Sequence, residues 1–200
     1  MTSSPRKQKS YKRPTLLRVL LLLLTALALL WIWNTRYPPV REYKLFLSET
    51  RLDADQPWHL ISESWSEADV KRRFSSYPIR CGADYTGTPK ITRICAIDLK
   101  SLNGVPTMYI NFLFAGDRLQ RVATAVPWWS HAKGLRALNA AYGPAHATQD
   151  EEHSGVRLQG WKLQGGGSVF YNLDRSINPL ETNSTQWLGE SACAPRACIH

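Results

Sequence analysis

Residues 108–126, which read MYINFLFAGDRLQRVATAV, contain the clearest structural pattern in the chain. From Met108 to Phe114 every second side chain is large and apolar, which is the period of a strand with one buried face. Gly116-Asp117 then supplies turn residues, and a second strand-like segment runs from Arg118 to Val126. The stretch therefore predicts an antiparallel hairpin.

Two further elements are predicted before this hairpin. Ile91 to Leu99 alternates in the same way and indicates a half-buried strand whose Cys95 points towards the core. Ser66 followed by Asp69 is typical of a helix N-terminus, because each side chain can accept a hydrogen bond from the other residue's backbone N–H. We therefore expect a short helix over residues 67–75.

After the hairpin the apolar period becomes helical. Leu135, Leu138 and Tyr142 fall on one stripe, Ser130 can cap the first turn, and Gly143 supplies the stop. The spacing predicts a helix between Ser130 and Gly143.

The remaining segments define the fold class. Residues 156–163 and 168–173 predict a second hairpin across three glycines, and residues 43–47 alternate weakly and predict one more strand. Residues 178–200 have no clear period. Strand, helix and parallel strand do not alternate along the chain, so we expect an α+β fold, one small domain with an antiparallel sheet and two helices.

The N-terminal region has a different character. Residues 19–33 read VLLLLLTALALLWIW, and the uncharged stretch from Arg18 to Arg36 has seventeen residues, about 26 Å as a helix. That length approaches the ~30 Å of a bilayer's hydrocarbon layer. A buried core helix is the alternative, but leucine on all faces next to a cationic tail favours a membrane span. We expect residues 15–35 to form a single transmembrane helix that acts as a signal anchor.

The charge distribution predicts the orientation of this anchor. Six cations and no acidic residue precede Val19, so residues 1–14 are expected to stay in the cytoplasm as a basic tail. Residues 36–42 would then be a linker to an exported domain, 43–200. Cleavage after Ala26-Leu27-Ala28 is the alternative, and it would export the same domain. The expected membrane-interface residues are Arg18, Trp31, Trp33 and Tyr37.

Nucleic acid is not an expected partner. The net charge is +9, but the six N-terminal cations leave only 9 − 6 = +3 for the rest of the chain. The exported part is therefore close to neutral.

The cysteines support export, because even sets of cysteines pair in oxidising compartments. We expect Cys81 to pair with Cys95 and Cys193 with Cys198, one of three possible connectivities. Cys193 and Cys198 could instead form half a zinc site with His200, or a redox pair. A thioredoxin-like pair has two intervening residues, however, and this one has four.

Two segments could form functional sites. His146, Asp150 and His153 have the ligand chemistry for a divalent transition metal, although a solvated loop explains the same residues. Trp128-Trp129 could be an exposed anchor for a protein partner, or the pair could split between the core and a half-covered position.

These observations together predict a non-catalytic module without a cofactor, anchored in the bacterial inner membrane. Residues 15–35 would contact the lipid bilayer, and the periplasmic domain would bind another protein or an envelope component. The alternative is a small periplasmic metal-dependent enzyme or hydrolase, with His146, Asp150 and His153 as its site.

Overall fold

The computed structural model describes residues 16–36, 38–84, 90–151 and 156–192 of the chain. The chain divides into two compact units, Met1–Arg41 and Glu42–His200. Helix α1 covers Leu16–Arg36. Across the described residues, no helix combines the length and the apolar character needed to cross a membrane. The transmembrane helix expected from the sequence therefore stays a prediction.

Helix α2 covers Pro38–Ser48, so the strand predicted for residues 43–47 is wrong. Two prolines begin this helix, where a missing backbone N–H is no loss because first-turn N–H groups have no partner within a helix. Tyr43 is buried and Phe46 is partly buried at helical spacing, both beside Met108 and Ala125. The weak alternation of residues 43–47 therefore did not indicate a strand. Most of the predicted linker, residues 36–42, is also helical.

The domain is built from two successions of a helix followed by antiparallel strands. A short strand β1, Leu52–Ala54, precedes the first succession. The elements of the first succession are α3 (Glu67–Arg73), β2 (Ile79–Ala83), β3 (Arg93–Leu102), β4 (Val105–Pro106), β5 (Tyr109–Ala115) and β6 (Arg118–Val126). The second contains α4 (His131–Tyr142), β7 (Ala147–Glu151), β8 (Val156–Lys162), β9 (Ser168–Asn172) and β10 (Asn183–Leu188).

All strands join one sheet in the order β1-β3-β5-β6-β10-β9-β8-β7, and β2 and β4 also pair with β3. Every pairing is antiparallel except that of β1 with β3, which is parallel. The predicted α+β class, the hairpin β5–β6 and the hairpin β8–β9 are confirmed. The two halves meet where β6 pairs with β10, a strand in the segment for which no period was found.

The two predicted helices begin differently. In α3 the Ser66 hydroxyl accepts a hydrogen bond from Asp69 N, and the Asp69 carboxylate accepts one from Ser66 N, as predicted. In α4 the Ser130 hydroxyl makes no cap, because a 3₁₀ turn over Trp128–Ser130 leads directly into the helix. Gly143 ends α4 as expected, with a φ of 78° that favours glycine.

The main core lies between α3, α4 and one face of the sheet. Val70 from α3, Phe74 directly after it and Leu138 from α4 pack against strand residues such as Phe112 and Trp161. Cys95 is fully buried there and forms a disulfide with Cys81, its register partner on β2, at a Cα–Cα distance of 4.1 Å. This predicted bridge is confirmed, and it ties an edge strand to the core. Cys193 and Cys198 lie outside the described residues.

Candidate functional site

A cavity of about 520 Å³ lies between α4 and the middle of the sheet. It exists because small residues of α4 line it at positions i, i+3 and i+7: Gly134 is buried, Ala137 is partly buried, and Ala141 is exposed at the opening. Gly134 is required where it stands, because a Cβ there would lie 2.6 Å from the Tyr171 hydroxyl oxygen. We call this space the α4 cavity.

Threonines form the deep end of the α4 cavity. Thr124 on β6 and Thr185 on β10 are register partners in the centre of the sheet, and Thr107 lies nearby just before β5. The Thr124 hydroxyl donates to Thr185 O at 3.3 Å, and the Thr107 hydroxyl donates to Val105 O at 2.9 Å. Among the described residues, the Thr185 hydroxyl has no hydrogen-bond partner, although Thr185 is only 6% exposed. The buried end is therefore polar but uncharged.

Apolar side chains form the walls, and the opening lies between α4 and two loops. Trp58, Val105, Val126 and Leu138 supply buried wall surface. Exposed residues mark the opening: His59, Asn103, Ala140 and Ala141. Among the described lining residues there is no Asp, Glu, Lys or Arg.

Hydrogen bonds hold the opening in shape. The Tyr142 hydroxyl of α4 accepts a bond from Trp58 N at 3.0 Å, which connects the helix to the loop before α3. Burial raises the pKa of Tyr142, so the phenol stays neutral. On the other side, Asn103 accepts from Gln56 N at 2.7 Å and donates to Gln56 O at 2.9 Å. The rim is thus fixed before any ligand arrives.

The predicted partner-binding pair lies on the domain surface, at the edge of the small core cluster that contains Tyr43. The Trp128 ring is half-buried: its Nε1 donates to Ser176 O at 2.6 Å, and the Arg175 guanidinium stacks 4.0 Å from its centroid. The Trp129 ring is 50% exposed and lies 5.3 Å from the Tyr43 ring. Neither tryptophan ring lies in the core, so the predicted split between a core position and a half-covered position is not observed.

An exposed aliphatic side chain lies close in sequence to the two residues that contact Trp128. Ile177 follows Ser176 in the chain and is 98% exposed. We call the group Trp128, Trp129, Arg175 and Ile177 the tryptophan surface. The Tyr43 hydroxyl accepts a hydrogen bond from Trp128 N at 3.0 Å, and burial raises the pKa of Tyr43. Tyr43 of α2 therefore contacts both tryptophans of this surface.

The residues of the predicted metal site are only partly described. His146 is exposed just before β7, and its Nδ1 accepts a hydrogen bond from Lys162 N at 3.3 Å. The backbone of Asp150 lies in β7, so the solvated loop considered for this segment is a strand over Ala147–Glu151. The Asp150 side chain and all of His153 lie outside the described residues. Metal binding by these three residues stays a prediction.

Within the described ranges, one group of three potential metal ligands comes together: Glu67, Cys81 and Cys95. Its two sulfur atoms are joined in the disulfide, and only a thiolate is a metal ligand. This group therefore carries no metal site while the bridge is intact.

The predicted membrane-interface residues belong to the N-terminal unit. Arg18 and Trp31 are exposed on α1. The side chains of Trp33 and Tyr37 lie outside the described part of the chain. Their role at a membrane stays a prediction.

Sequence reasoning missed the α4 cavity altogether. The available signal was the stripe of small residues Gly134, Ala137 and Ala141, because small residues on one side of a helix leave space between the helix and the element packed against it. Polar Thr124 and Thr185 on inward positions of two strands were the second signal. Comparison with protein-family models, curated proteins and solved structures finds no match for this chain.

Proposed function

We propose that the protein is a non-catalytic binding domain tethered to the bacterial inner membrane, with its domain in the periplasm and a protein of the envelope as its partner. Residues 15–35 would be the anchor. The cation-rich start of the chain supports this orientation, and the disulfide between Cys81 and Cys95 supports an oxidising compartment.

The half-exposed Trp129 is the observation that carries the binding role. Tryptophan and arginine are the residues that most often dominate protein interfaces, because a rigid ring and a planar cation bury much surface at little entropic cost. Here the Trp129 ring lies against Tyr43, the neighbouring Trp128 ring is covered by the Arg175 guanidinium, and Ile177 is exposed two residues after Arg175. A partner that covers this surface would remove a large apolar area from water.

The composition of the α4 cavity supports a binding role rather than catalysis. General acid–base chemistry needs titratable groups in reach of one another, and His59 and Tyr142 are the titratable side chains among the described lining residues. The Tyr142 hydroxyl is already used by the backbone of Trp58.

Site-specific photo-crosslinking in the native host tests the proposal. A benzoylphenylalanine replaces Trp129 in the full chain, and a matched variant has it at Leu60, which is 47% exposed against 50% for Trp129. We expect a discrete protein adduct from position 129 that position 60 does not give. The same adducts from both positions, or none from position 129, would overturn the assigned surface.

A further inference from the structure

We propose that the α4 cavity binds a neutral, mainly apolar small molecule that has one hydroxyl or carbonyl oxygen at its buried end. This inference does not depend on the tryptophan surface, because the two sites share no residue.

The size and stability of the α4 cavity favour a ligand. Spaces between packed elements are rarely larger than a water molecule, whereas ligand pockets measure roughly 300–1,000 Å³. The α4 cavity, at about 520 Å³, falls in the second range. The hydrogen bonds of Tyr142 and Asn103 fix its opening. The close approach of Gly134 to Tyr171 fixes the position of α4 over the sheet. Binding would require little rearrangement.

The polar groups specify the buried end of the ligand. The Thr185 hydroxyl can donate or accept, and it has no partner among the described residues. The Thr124 hydroxyl donates to Thr185 O, which leaves its oxygen lone pairs available. A ligand oxygen placed between these two side chains could accept a hydrogen bond from the Thr185 hydroxyl, and a ligand hydroxyl could also donate to the Thr124 hydroxyl oxygen.

The absence of charge among the described lining residues specifies a neutral ligand. A carboxylate or ammonium group at the deep end would lose its hydration without a countercharge, which is strongly unfavourable. A hydroxyl, ester or ketone avoids that cost. The apolar walls of Trp58, Val126 and Leu138 would cover the rest of the molecule.

The volume is sufficient for a small ligand. At roughly 30 Å³ per non-hydrogen atom, the share of one water in the liquid, 520 Å³ corresponds to about 17 such atoms. 1-Decanol, with eleven non-hydrogen atoms and one hydroxyl, therefore fits and serves as the probe.

Methyl NMR of the full chain in detergent micelles tests the proposal. The alanine and threonine methyl groups are labelled with ¹³C, and 1-decanol is titrated. We expect saturable shifts at Ala137, Ala141 and Thr185. Ala132, exposed on the same helix, and Thr25, in α1, report non-specific effects of the added alcohol and are expected to move little and without saturation. Uniform shifts at all these methyl groups would overturn the proposal.

Three variants define the site. Ala141→Phe should block the opening and weaken 1-decanol binding at least tenfold, whereas the matched Ala132→Phe should leave it unchanged. Thr185→Val keeps the shape and removes the hydroxyl, so it should weaken 1-decanol about fivefold, as expected for one neutral hydrogen bond, and leave n-decane unaffected. Decanoate should bind more weakly than 1-decanol.

The outcomes are distinct from those of the crosslinking experiment, which does not involve the α4 cavity. Unchanged 1-decanol affinity in Ala141→Phe would refute the site. Equal affinity of Thr185→Val and the wild type for 1-decanol would refute the assigned buried oxygen. Tighter binding of decanoate than of 1-decanol would refute the neutral class.

Discussion

Replacing Cys81 with serine should destabilise the domain substantially without preventing it from folding. The bridge to Cys95 closes a loop of fifteen residues, since the two positions are separated by 14. Loop-closure theory assigns roughly 3 kcal/mol to a bridge of that length, because the cross-link restricts the unfolded chain. The five-residue pairing of β2 with β3 and the buried contacts of Cys95 remain in the variant.

The expected change is large enough to measure by thermal unfolding. For a domain of 150–250 residues, 1 kcal/mol corresponds to about 2–4 °C in Tm, so Cys81→Ser should lower Tm by roughly 6–12 °C. Far-UV circular dichroism of the full chain, with and without reductant, measures this change. The Tm of the wild type in reductant should lie closer to the Tm of the variant than the Tm of the oxidised wild type does.

Cys198→Ser is the matched control. Its predicted bridge to Cys193 would close a ring of only six residues, for which the same theory gives roughly 2 kcal/mol. We therefore expect a smaller decrease in Tm for Cys198→Ser than for Cys81→Ser. Equal decreases, or a decrease of less than about 2 °C in Cys81→Ser, would show that the restricted loop does not determine the stability of the domain.

Three other predictions concern the membrane topology, the packing of α4 and the predicted metal ligands. A reporter that requires export should be active when fused after His200, and a reporter active only in the cytoplasm should be silent there; the opposite result would refute the proposed topology. Gly134→Ala should lower the free energy of unfolding, measured in urea, by about 1–3 kcal/mol. Its new Cβ would collide with the Tyr171 hydroxyl, which donates to His131 O. Gly82→Ala is the control and should cost less, because its Cβ would meet no atom within 4 Å. Replacement of the predicted metal ligands His146, Asp150 and His153 should change stability by about 0.5 kcal/mol or less per substitution and leave the biological phenotype intact. Loss of a stoichiometric metal in elemental analysis would instead support the metal-dependent alternative.

Elements with a strong local signal were predictable. The β5–β6 hairpin has both its alternation and its turn within nineteen residues, and α3 begins at a reciprocal cap whose two partners are three residues apart. The disulfide was predictable for a related reason, because Cys95 falls on the apolar face of its own strand. In these cases the interactions that define the element connect residues close in sequence.

Elements stabilised mainly by distant partners were missed. The strand β10 has polar Asn183 and Thr185 at buried positions, so its sequence shows no apolar alternation, yet it lies between β6 and β9 in the sheet. Tertiary pairing satisfies its backbone and buries its polar side chains. Helix α2 was mistaken for a strand because its buried side is defined by Met108 and Ala125, which are far away in the chain.

The sequence by itself determined the α+β class, the main hairpins, the first disulfide and the uneven charge that motivates the proposed anchor, because each depends on composition or short spacing. Only the tertiary structure decided where the α4 cavity lies. Thr124 and Thr185 are 61 residues apart and meet through the register of β6 and β10, and the small residues of α4 leave a cavity only because the sheet lies opposite them. A binding site of this kind depends on the distance between packed elements, which no local pattern of residues contains.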